Sequence, residues 1–136
     1  MDYKRLVNYW LKTAEHDFGV MSRLFNGKDY AEAIFFGQLV LEKVLKAKVV
    51  MAIKKQAPRI HDLSRLAQLA DMEVDQEATI FLDEMTRFNL EARYPDYRLK
   101  IYKLANKSFT EPRLKKVKNL YEIYKKNVIT QKDKKN

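Results

Sequence analysis

The chain has 136 residues, of which 46% are hydrophobic and 33% charged, with three glycines, three prolines and no cysteine. This length fits one domain whose core is large enough to fold without a metal ion or a disulfide. So few glycines largely exclude an all-β architecture, which needs many tight turns. The absence of cysteine excludes a disulfide scaffold, a thiol nucleophile and thiolate zinc sites, and it fits the cytoplasmic location that we expect.

The net charge of +9 is unevenly distributed along the chain. Residues 1–65 carry +5, residues 66–97 carry −6 and residues 98–136 carry +10. A basic C-terminal third predicts an anionic partner such as a nucleic acid, a nucleotide or an acidic protein. It is also typical of a helix with a lysine-rich outer face, so both interpretations stay open. We predict one domain over residues 1–130 and a disordered basic tail over residues 131–136.

Apolar residues recur at helical spacing along four long stretches and one short one. The first two long helices are predicted at about residues 3–25 and 30–54. Between them, Gly27 is predicted to adopt the left-handed conformation that often follows a helix, and Asp29 to cap the second helix. No run of 18 apolar residues occurs, so we predict no transmembrane helix.

The C-terminal half begins with a short helix capped by Asp62, followed by a long helix that starts after Asp75 and ends at Tyr94–Pro95. The last helix is predicted to have Thr110 as its N-cap and Pro112 in its first turn. Residues 97–109 form either a loop or a short helix. The predicted fold is therefore all-α: an up-down antiparallel bundle of four long helices plus one short helix.

The second predicted helix is apolar on two opposite sides. Leu41 and Leu45 belong to one side, while Phe35 and Leu39 lie on the other. A helix with this pattern is buried on both sides. One side belongs to the core of the subunit, and the other is either a dimer interface or a slot between two further helices. Because two-fold dimers are the commonest oligomers, we favour a homodimer.

Asp17 lies in the middle of the apolar stripe of the first helix. An unpaired buried carboxylate costs several kcal/mol, so Asp17 is expected to have a cationic or hydrogen-bonding partner on a neighbouring helix. The candidates are Lys43, Lys46, His61 and Arg93. Such a pair serves either as an inter-helix lock or as one wall of a polar pocket.

Glu42 precedes Lys46 by four residues, which is the favourable order for a surface ion pair worth a few tenths of a kcal/mol. His16 is interpreted as a surface residue beside Glu15. With two histidines and no cysteine, a dedicated transition-metal site is not expected. The chain also lacks a glycine-rich phosphate loop. We therefore expect neither a metal ion nor a cofactor.

The segment around Arg93 combines a cation with aromatic rings. Arg93 is followed directly by Tyr94 and, three residues later, by Tyr97. A guanidinium beside two aromatic rings suits phosphate binding and base stacking. The same residues are also typical of a helix end, because Tyr94–Pro95 forces the chain out of the helix.

Five motifs occur in order along the chain: Trp10, Ala14 and Asp17-Phe18; Tyr30-x2-Ala33-x2-Phe36; Gln38-x3-Glu42-Lys43-x2-Lys46-Ala47; His61-Asp62-Leu63-x2-Leu66; and Ala92-Arg93-Tyr94-Pro95. This ordered set resembles the HEPN domain, named for higher eukaryotes and prokaryotes nucleotide-binding. The resemblance implies a bundle of four or five helices, usually a homodimer, that binds a nucleotide or RNA. In prokaryotes such proteins are often encoded beside a minimal nucleotidyltransferase, and the implied setting is a toxin–antitoxin pair or stress and defence.

Several HEPN families are metal-independent ribonucleases with an Arg-x4–6-His motif. Neither His16 nor His61 has an arginine at the required distance before it. We therefore predict a binding module and leave a ribonuclease toxin, with Arg93 and His61 brought together in space, as one alternative. A protein-interaction scaffold is the second alternative. The predicted pocket, or its frame, consists of Asp17, Lys43, Lys46, His61, Arg93 and Tyr94.

Overall fold

The computed structural model describes residues 2–134, and this part of the chain contains six α-helices and no β-strand. The helices are α1 (Tyr3–Asn26), α2 (Tyr30–Ile53), α3 (Leu63–Leu69), α4 (Gln76–Glu91), α5 (Pro95–Leu104) and α6 (Lys107–Lys134). The four long helices α1, α2, α4 and α6 run up and down in turn. The predicted all-α bundle is thus confirmed. Within the described residues, no helix combines the length and the apolar character that a membrane span requires.

Helix α2 is the central element of the bundle. It packs against α1, α3, α4, α5 and α6, and most of its 24 residues are buried. Leu41 and Leu45 are fully buried, and Phe35 on the opposite side is half-buried beneath Arg98 of α5. The two apolar sides of this helix are therefore covered within one subunit. Of the two alternatives for the second apolar side, the structure shows the slot between further helices. The homodimer stays a proposal.

Gly37 lies where side chains of α4 and α6 pack tightly against α2. A Cβ atom at this position would lie 3.2 Å from Cγ2 of Val117 and 3.4 Å from Cε of Met85. Both neighbours are fully buried, so neither has free space to move into. Because Gly37 has no side chain, Met85 of α4 and Val117 of α6 can both pack against the backbone of α2 at this position.

The turn between α1 and α2 differs from the sequence prediction. Gly27 has φ −82°, whereas Lys28 has φ 68° and is the left-handed residue. Helix α1 continues to Asn26, which moves the left-handed position one residue along the chain, and the amide of Asp29 bonds back to the carbonyl of Leu24 at 2.8 Å. Asp29 stands at the N-cap position of α2 but makes no capping hydrogen bond through its side chain.

The two other predicted aspartate caps are present. The side chain of Asp62 accepts a hydrogen bond from the backbone N–H of Arg65 at 3.1 Å. Asp75 accepts from the N–H of Ala78 at 2.8 Å. Each bond satisfies an N–H group that has no partner inside the helix.

The ambiguous segment 97–109 contains most of helix α5 and the start of α6. Helix α6 begins at Lys107, and Oδ1 of Asn106 accepts a hydrogen bond from the N–H of Phe109 at 2.9 Å. The prediction of Thr110 as the N-cap is therefore wrong, because Thr110 lies inside the helix and is fully buried. Pro112 likewise lies within the helix rather than in its first turn.

Helix α6 also extends further than predicted at its other end. It continues to Lys134, so the proposed boundary at residue 131 does not coincide with the end of the helix. Residues 135–136 of the predicted tail lie outside the described residues.

Candidate functional site

The contact between α1 and α2 holds an ion pair whose carboxylate is buried and whose lysine is partly exposed. Asp17 is 4% exposed, and Nζ of Lys43 lies 2.5 Å from its Oδ2. Lys43 is thus the partner among the four candidates. Nδ1 of His16 lies 3.2 Å from the other carboxylate oxygen, although the His16 side chain is 72% exposed. The pair joins the two helices and keeps a carboxylate compensated inside the apolar stripe.

Glu42 is the centre of a second polar group, which the sequence pattern had suggested to be an exposed pair. Nζ of Lys46 donates to Oε2 of Glu42 at 3.1 Å, and both side chains are only 7% exposed. Nδ1 of His61 lies 3.1 Å from both carboxylate oxygens. The Lys46 ammonium also lies 5.1 Å from the centre of the Trp10 ring. The prediction of a surface pair is wrong, because residues from α1 and from the segment before α3 cover it.

A chain of hydrogen bonds continues from Glu42 towards α4. Nε2 of Gln38 donates to Oε1 of Glu42 at 3.2 Å and to the carbonyl of His61 at 3.3 Å. Nδ2 of Asn89 donates to Oε1 of Gln38 at 3.2 Å. Gln38 is fully buried, so these bonds satisfy its amide. We call Gln38, Glu42, Lys46, His61 and Asn89 the Glu42 network.

Sequence reasoning gave Asn89 no role; it placed Gln38 on one ridge of the second helix with Glu42 and Lys46 but did not predict a hydrogen bond between Gln38 and Glu42. The spacing of Gln38 and Glu42 by four residues places them on one ridge of α2 and could have suggested their contact. No such signal links Gln38 to Asn89, because 51 residues separate them along the chain.

Asn89 also lines an open cleft of about 400 Å³ between α2, α4 and the start of α5. The other lining residues are Glu32, Phe35, Phe36, Ala92, Arg93 and Arg98. The Arg93 side chain is exposed and has no hydrogen bond or ion pair with any described side chain. The Arg98 guanidinium lies 5.5 Å from the centre of the Phe35 ring. The cleft thus combines two cations, two aromatic rings and one carboxylate.

The predicted site residues occupy three places rather than one pocket. Asp17 and Lys43 lie at the α1–α2 contact, Lys46 and His61 belong to the Glu42 network, and Arg93 lies at the cleft. Among the described residues, no hydrogen bond or ion pair joins Arg93 to His61. Within residues 2–134, Asn89 is the one member of the Glu42 network that also lines the cleft.

Tyr94, the remaining predicted site residue, lies at the start of α5 just beyond the cleft. It is the N-cap residue of this helix and is 62% exposed. Its ring makes an edge-to-face contact with Tyr97, with 6.3 Å between the ring centres. Tyr94 therefore faces solvent beside Arg93 and is not part of the buried networks.

The geometry thus defines a class of protein. It is an all-α bundle with ion pairs along its central helix and an open cleft lined by two arginines. The model of the HEPN domain family matches residues 7–128. The chain therefore belongs to the HEPN family, which confirms the resemblance seen in its motifs. No protein of curated function matches the chain.

A solved structure shares the fold of this chain. It is the crystal structure of TT1696 from Thermus thermophilus, which aligns with a TM-score of 0.73 at 20% sequence identity. The alignment covers 93% of this chain and 98% of that chain. The similarity thus extends over the whole bundle.

Proposed function

We propose that this protein is a dimeric nucleotide- or RNA-binding module whose ligand site is the cleft beside Arg93. The observation that carries the proposal is the exposed, unpaired guanidinium of Arg93 at an open cleft that also contains aromatic rings. An arginine side chain binds a phosphate through two parallel hydrogen bonds. The second guanidinium, from Arg98, adds positive charge on the same cleft.

The remaining lining residues suit the other parts of a nucleotide. Phe35 and Phe36 are half-buried and offer apolar surface to a base. The carboxylate of Glu32 accepts hydrogen bonds, and a ribose hydroxyl is a donor of the kind that acidic residues bind in nucleotide sites. Phosphate, base and sugar thus each have a suitable partner within one cleft.

The buried polar residues act as the frame of this site. The Asp17–Lys43 pair fixes α1 against α2. The Glu42 network continues through Gln38 to Asn89 and so fixes α4, the helix that ends beside Arg93. In this proposal the buried residues position the cleft, whereas Arg93 and Arg98 contact the ligand.

We further propose that the module acts as a homodimer with a partner nucleotidyltransferase, in a toxin–antitoxin-like or stress and defence setting in the cytoplasm. Membership of the HEPN family supports the dimer and the partner class. The absence of cysteine supports a reducing compartment. Light scattering of the purified protein tests the dimer directly.

The binding proposal is tested with a panel of nucleotides and short RNAs at about 150 mM salt, where weak polyanion binding to lysine-rich surfaces is screened. Charge-assisted hydrogen bonds contribute roughly 1.5–3 kcal/mol, so we expect Arg93→Ala to weaken binding by about tenfold or more. The matched control is Arg87→Ala, an exposed arginine of α4 that does not line the cleft. Equal weakening in both variants would contradict the proposed site.

One observation favours ribonuclease activity as a second candidate. Glu42 contacts Nδ1 of His61, which leaves Nε2 available on a side chain that is 51% exposed. A carboxylate that orients a histidine in this way is typical of general acid–base catalysis. Because no hydrogen bond or ion pair joins Arg93 to His61 among the residues that the structure describes, this candidate places the catalytic pair between two subunits. RNA cleavage in the same panel, abolished by both His61→Ala and Arg93→Ala, is the expected result for this candidate.

A further inference from the structure

We propose that the exposed face of helix α5 binds single-stranded RNA, with Tyr94 and Tyr97 stacking on bases and Lys100 contacting phosphates. The proposal rests on the proposed function, because this face starts directly beside Arg93 and the cleft. It adds a second surface along which an RNA strand continues after its first nucleotide has bound.

The first observation is the unusual exposure of α5. Every residue from 93 to 100 is exposed, and this stretch includes large hydrophobic side chains. Tyr94 is 62% exposed, Leu99 61% and Tyr97 48%. Ile101 is the one buried residue within the helix itself. Large apolar side chains that cluster on one exposed helix mark an interaction surface.

The second observation is the geometry of the two rings. The planes of Tyr94 and Tyr97 are inclined at 81°, so the rings do not stack on one another. A single base cannot lie flat against both rings at once, so we expect a separate base to stack on the part of each ring that its neighbours leave uncovered. This arrangement fits successive unstacked bases of a flexible strand.

The third observation is the charge beside the rings. Residues 93–104 contain four basic residues and one acidic residue. The Lys100 ammonium lies over one face of the Tyr97 ring, 5.3 Å from its centre, so a phosphate beside this ring is within reach of the flexible lysine side chain. Arg98 links this face to the cleft, because it lines the cleft and also donates a hydrogen bond to the hydroxyl of Tyr102 at 3.2 Å.

Taken together, charge and aromatic surface identify the class of ligand. An acidic segment without aromatic side chains would satisfy the cations but offers no planar ring to stack on the tyrosines. In a duplex the base faces are hidden by stacking, so only a single strand can use the rings. Glu32 in the adjoining cleft can accept a hydrogen bond from a ribose 2′-hydroxyl, which favours RNA over DNA.

The test measures binding of a 12-nucleotide uridine RNA and of uridine monophosphate by fluorescence anisotropy and calorimetry. Stacking on one aromatic side chain contributes enough that Tyr97→Ala is expected to weaken RNA binding by about fivefold or more. Binding of the mononucleotide in the cleft is expected to stay unchanged. The matched control is Tyr9→Ala, because Tyr9 is a 57% exposed tyrosine on α1.

A second pair of variants distinguishes a specific contact of Lys100 with a phosphate from the nonspecific effect of removing one positive charge. Lys100→Gln and Lys118→Gln each remove one exposed lysine, from α5 and from α6 respectively. We expect only Lys100→Gln to weaken RNA binding beyond the small uniform effect of lost charge. A duplex or a DNA strand of equal length is expected to bind more weakly than the RNA.

The outcomes distinguish this proposal from the one on which it rests. If the mononucleotide binds in an Arg93-dependent manner but Tyr97→Ala and Tyr9→Ala have equal effects on RNA, the α5 proposal is overturned and the cleft stands. If the mononucleotide does not bind but RNA binding depends on Tyr97, the cleft is overturned instead. Competition by polyglutamate as strong as competition by RNA would identify an acidic protein as the partner and overturn the RNA proposal.

Discussion

The pair of Glu42 and Lys46 shows how burial changes the energetic contribution of an i, i+4 ion pair. At spacing i, i+4 a glutamate and a lysine contribute a few tenths of a kcal/mol on an exposed helix. Here both side chains are buried, and the same carboxylate also contacts His61 and Gln38. Loss of one partner therefore leaves an uncompensated charge inside the protein, which costs far more than the exposed pair contributes.

We expect Glu42→Gln to lower the free energy of unfolding by about 3 kcal/mol, because Lys46 then keeps a buried charge without a carboxylate. Urea unfolding measures the change. The control is Glu84→Gln, since Glu84 pairs with Arg113 at 2.8 Å but the side chains of Arg113 and Glu84 are 26% and 31% exposed. A surface pair of this kind contributes about 1 kcal/mol or less. Similar losses in the two variants would show that Lys46 is not effectively buried.

The sequence predicted part of this polar arrangement at the level of residues. Asp17 was expected to need a partner, since its position on an apolar stripe already implies burial, and Lys43 was among its candidates. The Glu42–Lys46 pair was underestimated, because the residues beside it, Trp10 near Lys46 and His61 beside Glu42, lie far from it along the chain. Local spacing reveals contacts within one helix and gives no information on what covers them.

At the level of helices, the start of α6 provides a direct test of the structure against the sequence prediction. Asn106 caps the helix through its side chain, so Asn106→Ala is expected to lower the free energy of unfolding by about 1 kcal/mol. Thr110 is fully buried and its hydroxyl has no hydrogen-bond partner among the described residues. Thr110→Val is therefore expected to be neutral or stabilising, because it removes a buried unsatisfied group.

Thermal and urea unfolding of the two variants show whether Asn106 or Thr110 is the N-cap of α6. If Thr110 were the N-cap, Thr110→Val would be the damaging change and Asn106→Ala would have little effect. An outcome in that order would place the start of α6 at residue 111, as the sequence suggested.

The accuracy of the sequence prediction followed the strength of each hydrophobic pattern. Helices α1, α2 and α4 were predicted within a few residues, because their buried positions recur regularly. Helix α5 could not be distinguished from a loop, since Ile101 is its one buried residue. The first turn of α6 was missed because Lys107 and Ser108 are polar and exposed and add nothing to the periodic pattern.

At the scale of the whole molecule, an ion pair within one subunit links the basic C-terminal third to the acidic middle region. Arg113 of the basic C-terminal third pairs with Glu84 of the acidic middle region, and Nε lies 2.8 Å from Oε1. The cations around α5 are arranged differently: Arg93 is unpaired, and Arg98 and Lys100 lie against aromatic rings. The basic surface that the C-terminal third offers to an anionic ligand is therefore smaller than its charge of +10 implies, and it includes the region of the cleft.

The stability of the whole bundle is expected to fall in alkaline solution through Tyr124. Burial raises the pKa of this tyrosine above its ordinary value of 10.0, and Asp75 raises it further. The unfolded chain then ionises at lower pH than the folded protein, so the stabilising contribution is complete below about pH 10 and is lost as the pH rises through the folded pKa. Tyr124→Phe is expected to flatten this decline.

Urea unfolding between about pH 8 and pH 11 measures the slope in each variant. Tyr9→Phe serves as the control, because solvent reaches the 57% exposed Tyr9 in the folded and unfolded states alike. Identical slopes for Tyr124→Phe and the unaltered protein would rule out a contribution from Tyr124.

The short turn between α1 and α2 also has a consequence for the order of folding. These two helices pack against each other along their length and are joined by only residues 27–29, so little loop entropy is lost when they meet. Helix α6 instead reaches α2 through contacts such as Gly37 with Val117, which lie 80 residues apart. We expect the N-terminal hairpin to form first and α6 to dock last.

Stopped-flow kinetics can compare Val7→Ala with Val117→Ala, since both valines are fully buried but lie on α1 and α6. The first change is expected mainly to slow folding, and the second mainly to accelerate unfolding. The hairpin carries Asp17, Lys43, Glu42 and Lys46, so a newly made chain would assemble its buried ion pairs before the last helix closes over the opposite side.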